Sequence, residues 1–465
     1  VRTFVDISSV HTASWGPPRG VTRVEYNVAR EALLLGANLV RFDAAVRAFV
    51  AAQLPTNFGQ ARNEIALILA ETPTVRPSFL KRPTLWRVRS LGKFLSKADA
   101  SDSRITSARR DLAWLLAYNY EFLPSAERFE LASHAHALEP QALCHEFDYW
   151  VTMERGKRAA PSEGTPPQAI RWECGDKVIS LGAIWKQDYI DSLENLAAEG
   201  VRVVALIYDM IPITHQSFLP ADELERFKIY IERMLKSRLL LTTISRASQD
   251  EIEKYCRDTF GFGRDVAVTP LATSASTDRA AASTKILDCG LHRLPFVLMT
   301  GSFEPRKNQK FLLDIWRAVV SRLAEPPALV FAGGLAKAWY LDELQQAAGD
   351  LDRILLFFNV SDEELAWFYE NCLFTAFPSE AEGWGLPVSE ALDRGKYCLA
   401  SDNSALQEAS EGLAFHAALQ DRDAWINELY ALLNDPLALE QRTKKVRENH
   451  RSRTWADVAR AMMAL

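Results

Sequence analysis

No apolar run in this chain approaches the ~20 residues that a membrane-crossing helix needs. Its start, "VRTFVDISSV", lacks the charged-then-apolar pattern of a leader and reads directly as a strand. Without an initial Met, a trimmed start with a lost targeting segment stays open. Close cysteine pairs are missing as well. Cys144, Cys174, Cys256, Cys289, Cys372 and Cys398 are scattered, which argues against a zinc site or a disulfide framework and fits a reducing cytosol. Of eight histidines only His134 and His136 are close, and two side chains do not make a metal site. Net positive charge is absent: 54 Lys and Arg against 60 Asp and Glu leave −6, which argues against a nucleic-acid partner.

What is present is length and a regular alternation. At 465 residues the chain exceeds one typical core, which predicts two or three domains. "RTFVDIS" reads as a strand, "GVTRVEYNVAREALLLG" as a helix capped by its last glycine, and "NLVRFD" as a strand. A long, mostly helical and irregular region follows. Then "KVISLGAIW", "RVVALIYDMIP", "LLLTTIS" and "DVAVTPLA" read as strands with helices between them. The small, polar "TSASTDRAAASTKILDCGLHRLP" reads as a linker. After it the alternation restarts with "PFVLMTGSF", "ALVFAGG", "RILLFFNV", "LFTAFPS" and "KYCLAS". Near-continuous apolar strands between helices mean parallel sheets covered on both faces. Ligands of such sheets bind at the carboxyl ends of the strands, so two of them would make a cleft. "RTWADVARAMMAL" is an amphipathic helix without a strand of its own, expected across the domain junction.

The stretch "LFTAFPSEAEGWGLPVSEALDRG" concentrates the chemistry. A buried strand ends at Phe377, and a helix begins with Pro387 in its first turn, where proline is favoured. A helix N-terminus offers free N–H groups and a positive dipole end, suited to a diphosphate. Gly383 and Gly385 let that backbone approach a ligand closely. Glu390, a turn into the helix, is placed to reach a vicinal diol such as a ribose, and Glu382, ahead of the turn, to reach hydroxyls beyond the phosphates.

"PSEAEGWGLPVSEAL" resembles the E-x7-E signature of retaining glycosyltransferases of family GT4, which have the GT-B fold. "LMTGSFEPRKNQKFLLDIW" looks like that family's diphosphate strand-loop, and "FFNVSDEELAWFYENCLFTAFPS" like the segment leading into the signature. In the first half, "RGVTRVEYNVARE" looks like its glycine loop, "IYDMIPITHQ" its mid-domain loop and "LLTTISRASQDEI" its strand-to-Ser step.

The resemblance implies an α/β GT-B fold. Two Rossmann-like doubly wound domains would face each other across a cleft, with the C-terminal helix crossing back to the first. We expect residues 1–285 as the acceptor-binding domain, with a basic helical insertion at about 55–145. Residues 286–445 would form the nucleotide-sugar domain and 446–465 the crossing helix. Carried over residue by residue, Glu390 would bind the ribose and Glu382 the donor-sugar hydroxyls. The backbone from Gly383 through Trp384 and Gly385 to Leu386 and Pro387 would hold sugar and phosphate oxygens. Lys307 would neutralise the diphosphate. Relatives often carry Arg where this chain has Ser302, and Arg306 is placed to supply that charge. Asn308 is expected to cap the following helix. The base would lie against backbone near Phe358 to Val360. Across the cleft, Gly20 and Arg23 would approach the diphosphate, and Asp209 would orient the acceptor hydroxyl. Tyr208 stands where relatives often have His.

The reaction implied is hexose transfer with retention from a nucleotide-diphosphate sugar, with GDP-mannose as the first guess. The acceptor would be a glycan or lipid-linked glycan in cell-surface polysaccharide synthesis, such as lipopolysaccharide. Retaining hydrolases need a carboxylate nucleophile opposite an acid. No residue assigned here fills that role, so the family's front-face route is expected, in which the leaving phosphate helps take the acceptor proton. No metal or other cofactor is expected. The Asp350/Asp352 and Asp421/Asp423 pairs do not follow strands as metal-binding Asp-x-Asp pairs do, and read as chance.

Residues 76–110 carry ten Lys and Arg against two Asp, a local excess of eight positive charges, with Phe79, Trp86 and Phe94 interleaved. This reads either as a peripheral contact with the inner face of a membrane or as a solvated insertion of a cytoplasmic protein. The competing reading of the whole chain is a non-catalytic nucleotide-sugar-binding subunit that scaffolds a glycan assembly complex. Ser302 and Tyr208 favour it; Glu382, Lys307 and Glu390 oppose it. Epimerase and phosphorylase readings would need acid/base pairs or a pyridoxal lysine that the sequence does not offer.

Overall fold

The computed structural model describes residues 2–12, 20–54, 168–219, 221–272, 281–334, 338–349, 351–358 and 360–465. The basic stretch 76–110, and with it the expected insertion at about 55–145, lies outside the described residues, as do His134, His136 and Asp350.

Two sheets carry the fold. The first has the order β3-β2-β1-β4-β5-β6-β7. Its strands are β1 Thr3–Asp6, β2 Asn38–Asp43, β3 Ala48–Ala51, β4 Lys177–Ser180, β5 Arg202–Ile207, β6 Leu240–Thr243 and β7 Ala267–Val268. All neighbours are parallel except the β2–β3 hairpin at one edge. The second sheet, β10-β9-β8-β11-β12-β13, is parallel throughout. It is built from β8 Phe296–Thr300, β9 Ala328–Gly333, β10 Ile354–Phe358, β11 Thr375–Phe377, β12 Cys398–Ser401 and β13 Phe415–Ala417. Both sheets belong to one compact unit of Val1–His11, Pro18–Leu54 and Gln168–Leu465.

The apolar runs read as strands are shorter in the structure. "RVVALIYDMIP" is strand only to Ile207 and then turns into a short helix, Ile211–Thr214, started by Pro212. The linker contains helical turns at Thr284–Asp288 and Leu291–Arg293. β3 and β13 carry no pattern long enough to mark them.

The longer helices include α1 Val21–Leu34, α2 Gln187–Ala198, α3 Ala221–Lys236, α4 Arg246–Phe260, α5 Gln309–Val320, α6 Asp362–Asn371, α7 Leu386–Asp393, α8 Ser404–Ser410, α9 Arg422–Asn434, α10 Pro436–Asn449 and α11 Trp455–Ala464, with a further helix at Ala338–Ala348. Their starts follow capping chemistry. Ser361 with Glu364 and Thr454 with Asp457 form capping boxes that satisfy two orphan N–H groups at α6 and α11. Gly261 closes α4 in the left-handed conformation at φ 73°. The stretch 446–465 is two elements: Val446 still belongs to α10, where it is fully buried, and α11 begins at Trp455. α11 packs against α1 of the first sheet, and the Met463 carbonyl accepts from Lys177 Nζ at 2.7 Å, so the chain end is carried back across the junction.

Each sheet has its own buried core. Trp316, Trp425, Phe331 and Phe374 centre the second, and Tyr189, Ile231 and Val203 the first. At the carboxyl ends of β8 and β9 the backbones nearly touch. A Cβ added at Gly333 would lie 1.8 Å from the Gly301 carbonyl oxygen. That approach sets where the β8 loop, with its lysine, leaves the sheet. Gly333→Ala is therefore expected to destabilise the protein by at least ~1–3 kcal/mol through overpacking. A urea midpoint equal to that of the unchanged protein would contradict this.

Candidate active site

The carboxyl ends of β5, β6, β8 and β11 converge on one place. After β11, Glu382, its side chain 10% exposed, meets two cations from the β8 loop. Lys307 Nζ donates to Oε1 at 2.5 Å and Arg306 Nη1 to Oε2 at 3.1 Å. Burial alone would raise this carboxyl, but Lys307 and then Arg306 outweigh it and hold it down at about 2. Arg306 is itself fixed three ways, with Nη1 also on the Ala381 carbonyl at 2.7 Å and Nη2 on Glu304 Oε1 at 2.7 Å. Ser302 Oγ donates to the same Glu304 oxygen at 2.8 Å. Arg306 thus stands in the charge cluster that Ser302 cannot supply. Asn308 does occupy the start of α5, in the left-handed region at φ 59°, but its side chain makes no capping hydrogen bond. Its role is the backbone turn that Asn tolerates, which corrects the expected side-chain cap.

The corner itself is built by glycine. Gly385 has φ 109°, and an added Cβ would meet Leu406 Cδ2 at 2.5 Å. Pro387 sits in the first turn of α7. The backbone N–H groups of Gly383, Trp384, Gly385 and Leu386, at and just before the start of α7, donate to nothing among the described residues and are open to an anion. The Trp384 indole is turned inward and donates from Nε1 to Ser389 Oγ at 3.2 Å, so this residue offers backbone rather than its ring.

Glu390, one turn into α7, is buried and accepts from Arg23 Nη1 at 2.7 Å and from the Tyr369 hydroxyl at 3.1 Å. Burial raises its pKa, and Arg23 and Tyr369 offset part of that rise. Tyr369 also shares a hydrogen bond of 2.7 Å with Thr300 at the end of β8. Neither Tyr369 nor Thr300 stood out in the sequence. A phenylalanine-like helical pattern gave no sign of the hydroxyl's partners.

From the first sheet come Asp209, Gly20 and Arg23. Asp209 follows β5, accepts from Ile211 N at 3.0 Å, and is raised by burial, with Arg306 pulling the other way. A Cβ on Gly383 would lie 2.8 Å from Asp209 Oδ2, so the two segments touch across the cleft. Gly20, exposed at φ 51°, starts α1 and places Arg23 in its first turn. Tyr208 donates to the Leu181 carbonyl at 2.8 Å, so its hydroxyl ties loops together rather than replacing a histidine. Two further contacts across the cleft were not legible in the sequence. Ser245 Oγ donates to the Gly383 carbonyl at 2.7 Å, and Glu408 Oε2 accepts from Arg246 N at 2.8 Å at the open start of α4. The base-binding backbone expected at Phe358 to Val360 lies at the end of β10, where Phe358 pairs with Gly333.

The five described cysteines are free. Among the described residues no three His, Cys, Asp or Glu side chains group as metal ligands, and Asp421 caps α9 by accepting from Ala424 N at 3.1 Å. No helix among them is long and apolar enough to cross a membrane.

The Glu382 cluster has a pH signature. A carboxyl lowered by folding stabilises the fold fully above its unfolded pKa near 4.5 and loses that contribution as pH falls toward about 2. Glu382→Gln leaves buried Lys307 without its counter-charge and Arg306 with Glu304 alone, which costs up to ~3–5 kcal/mol. The urea midpoint gap between Glu382→Gln and the unchanged protein is expected to be wide at pH 7 and to narrow below pH ~4.5. A gap that does not change with pH would contradict the pairing.

Comparison with known proteins agrees with this geometry. Residues 291–453 match the family model of glycosyl transferases group 1. Over 230 residues the chain is 26% identical to an O-antigen chain mannosyltransferase B of Escherichia coli, covering 48% of this chain and 59% of that protein. Over 249 residues it is 22% identical to a serotype-specific mannosyltransferase WbdA of Escherichia coli, covering 49% of this chain and 29% of that protein. The match thus spans under two thirds of either relative. In fold it is similar to an alpha,alpha-trehalose-phosphate synthase (UDP-forming) from Burkholderia vietnamiensis, at TM-score 0.53, 12% identity and coverage of 100% of this chain and 96% of that one. With two Rossmann-like sheets, parallel but for one edge hairpin, and residues 291–453 matching that model, the chain has a GT-B fold and resembles glycosyl transferases group 1 over its second sheet.

Proposed function

We propose that this protein transfers a hexose from a nucleotide-diphosphate sugar to a glycan or lipid-linked glycan acceptor, with retention of configuration and without a metal. The observation that carries the reading is one corner that offers four open amides, a Lys307–Glu382–Arg306 charge cluster and a second buried carboxylate, Glu390. A diphosphate fits the amides and Lys307. A ribose diol fits Glu390, and the donor-sugar hydroxyls fit Glu382. The names of the two Escherichia coli relatives favour mannose as the sugar and GDP-mannose as the donor. They also favour a cell-surface polysaccharide as the product.

The main demand of such a reaction is to stabilise charge developing on the departing diphosphate. Lys307, the open amides and the positive end of α7 would meet it, with Arg23 joining once the donor draws it from Glu390. Glu382 is engaged by two cations and is no free nucleophile, which suits the front-face route. There the leaving phosphate oxygen takes the acceptor proton while the C–O bond to phosphate breaks and the new glycosidic bond forms on the same face. Asp209, beside Gly383, would orient the acceptor hydroxyl. A nucleotide-sugar-binding scaffold remains the second reading, favoured by Tyr208 spending its hydroxyl on backbone.

Incubation with a panel of nucleotide sugars in the absence of acceptor, following released nucleoside diphosphate, tests this. One donor is expected to be hydrolysed slowly, with EDTA leaving the rate unchanged. Glu382→Ala should abolish release, and Lys307→Ala should lower it by about 10²–10³-fold, the scale of losing one preorganised charge donor. Binding of a donor with neither hydrolysis nor transfer to any glycan would favour the scaffold reading.

A further inference from the structure

Glu25 follows Arg23 by two positions on α1, which turns the two side chains to opposite sides of the helix. Arg23 reaches Glu390, whereas Glu25 is fully buried against the short helix Ser8–Thr12 that follows β1. Glu25 Oε1 accepts from Val10 N at 2.9 Å. Its Oε2 has no hydrogen-bond partner among the described residues, and neither has the buried Ser9 Oγ. An added Cβ at Gly182 would clash with Ser9 Oγ and lie 3.2 Å from Glu25 Oε2, so the two orphan oxygens border the same glycine. A second carboxylate is buried beside them. Asp6, at the end of β1, accepts from Ser8 N at 3.0 Å and from the hydroxyls of Ser8 and Tyr189. No lysine or arginine among the described residues pairs with either acid.

Two carboxylates buried together without a cation do not both ionise, so one keeps its proton. Asp6 already has three donors, which suit a charged acceptor. Glu25 has one donor and a bare oxygen, and burial, then the Asp6 charge, raise its pKa well above the usual carboxylate range. A proton on Oε2 that donates to Ser9 Oγ satisfies both orphan oxygens at once. Glu25 then ties the turn after β1 to α1 from both of its oxygens. Tyr208 holds the same first turn from another side, donating to the Leu181 carbonyl at 2.8 Å and to the Val21 carbonyl at 3.3 Å. The turn so held is the one that carries Arg23 toward Glu390.

We propose that Glu25 is a positioning residue of the transferase, which pins α1 to the turn after β1 by accepting from Val10 and donating to Ser9, so that Arg23 is aimed at the donor's diphosphate. The inference rests on the transferase reading of Arg23 and adds what holds that residue in place.

Calorimetry on the full chain, with the nucleoside diphosphate that binds it best, tests this in a double-mutant cycle. Glu25→Gln keeps one acceptor and one donor and should leave the affinity within about twofold. Glu25→Met, similar in length without either, should weaken it about five- to tenfold, the scale of one ordinary hydrogen bond. In an Arg23→Ala background the same Glu25→Met change should matter less than about twofold, because its effect runs through Arg23. Should Glu25→Met fail to fold by near-UV circular dichroism, Ser9→Ala takes its place in both backgrounds. Urea midpoints give a second readout that needs no ligand. A carboxyl whose pKa rises on folding stabilises fully below its unfolded value near 4.5 and loses that contribution as pH rises. Asp6, Tyr189 and Tyr208 face Glu25 and are unchanged in Glu25→Gln. Glu25→Gln should therefore gain on the unchanged protein steadily from pH ~4.5 to ~8. A midpoint gap that is constant with pH, a Glu25→Gln loss as large as that of Glu25→Met, or an equal Glu25→Met loss with and without Arg23 overturns the inference and leaves the transferase reading standing. Absence of binding by any nucleoside diphosphate to the unchanged protein overturns the reading and the inference with it.

Discussion

Glu382 is a carboxylate taken out of water at a glycine corner, and its charge has to be answered where it sits. Lys307 and Arg306 answer it, and they can do so only from the loop that leaves β8. That loop is aimed by the close approach of Gly301 and Gly333 and is held by Arg306 bonding the Ala381 carbonyl. Position and charge thus depend on one another. Removing either cation leaves the carboxylate with one partner in place of two. The corner's four open amides lie beside this cluster and offer donors to an anion, so the site is a positive cradle around one fixed negative charge.

The second carboxylate follows the same logic with a different partner. Glu390 is neutralised by Arg23, which comes from the other sheet. Two of the contacts that draw the two sheets together lie at the corner, Arg23 on Glu390 and Ser245 on the carbonyl of Gly383, and the first is on a group a donor would claim. Glu408 at the start of α4 adds a contact that leaves the corner free. Donor entry would exchange Arg23 for a ribose on Glu390 and give Arg23 a phosphate. That exchange gives Arg23 a new anion, while Glu390 trades its cation for neutral hydroxyls and is held by hydrogen bonds alone, from the diol and from Tyr369.

The sheets, their parallel sense and the corner were legible because they are local. Apolar strands alternate with helices over short stretches, and E-x7-E sits in one unbroken run. Lys307 was visible for the same reason. The partners of these residues were not. Tyr369 reaches Glu390 across 21 positions, Thr300 reaches Tyr369 across 69, and Ser245 reaches Gly383 across 138. Such pairings are set by topology and leave no periodic trace. Strands of three or four residues, such as β3 and β13, are too short to show a period against their turns. Asn308 shows the converse error. Its residue type fitted a side-chain cap, but a left-handed backbone turn was what the chain required of it. The terminal helix was read correctly as amphipathic, while its neighbour α10 had to be seen to be separated from it.

A crystal structure with the nucleoside diphosphate that most stabilises the protein tests the central claim most directly. The account predicts Glu390 on the ribose hydroxyls and released from Arg23, with the terminal phosphate on Lys307 and the amides of residues 383–386. A nucleotide bound elsewhere, or the Arg23–Glu390 pair intact beside an occupied corner, would contradict it.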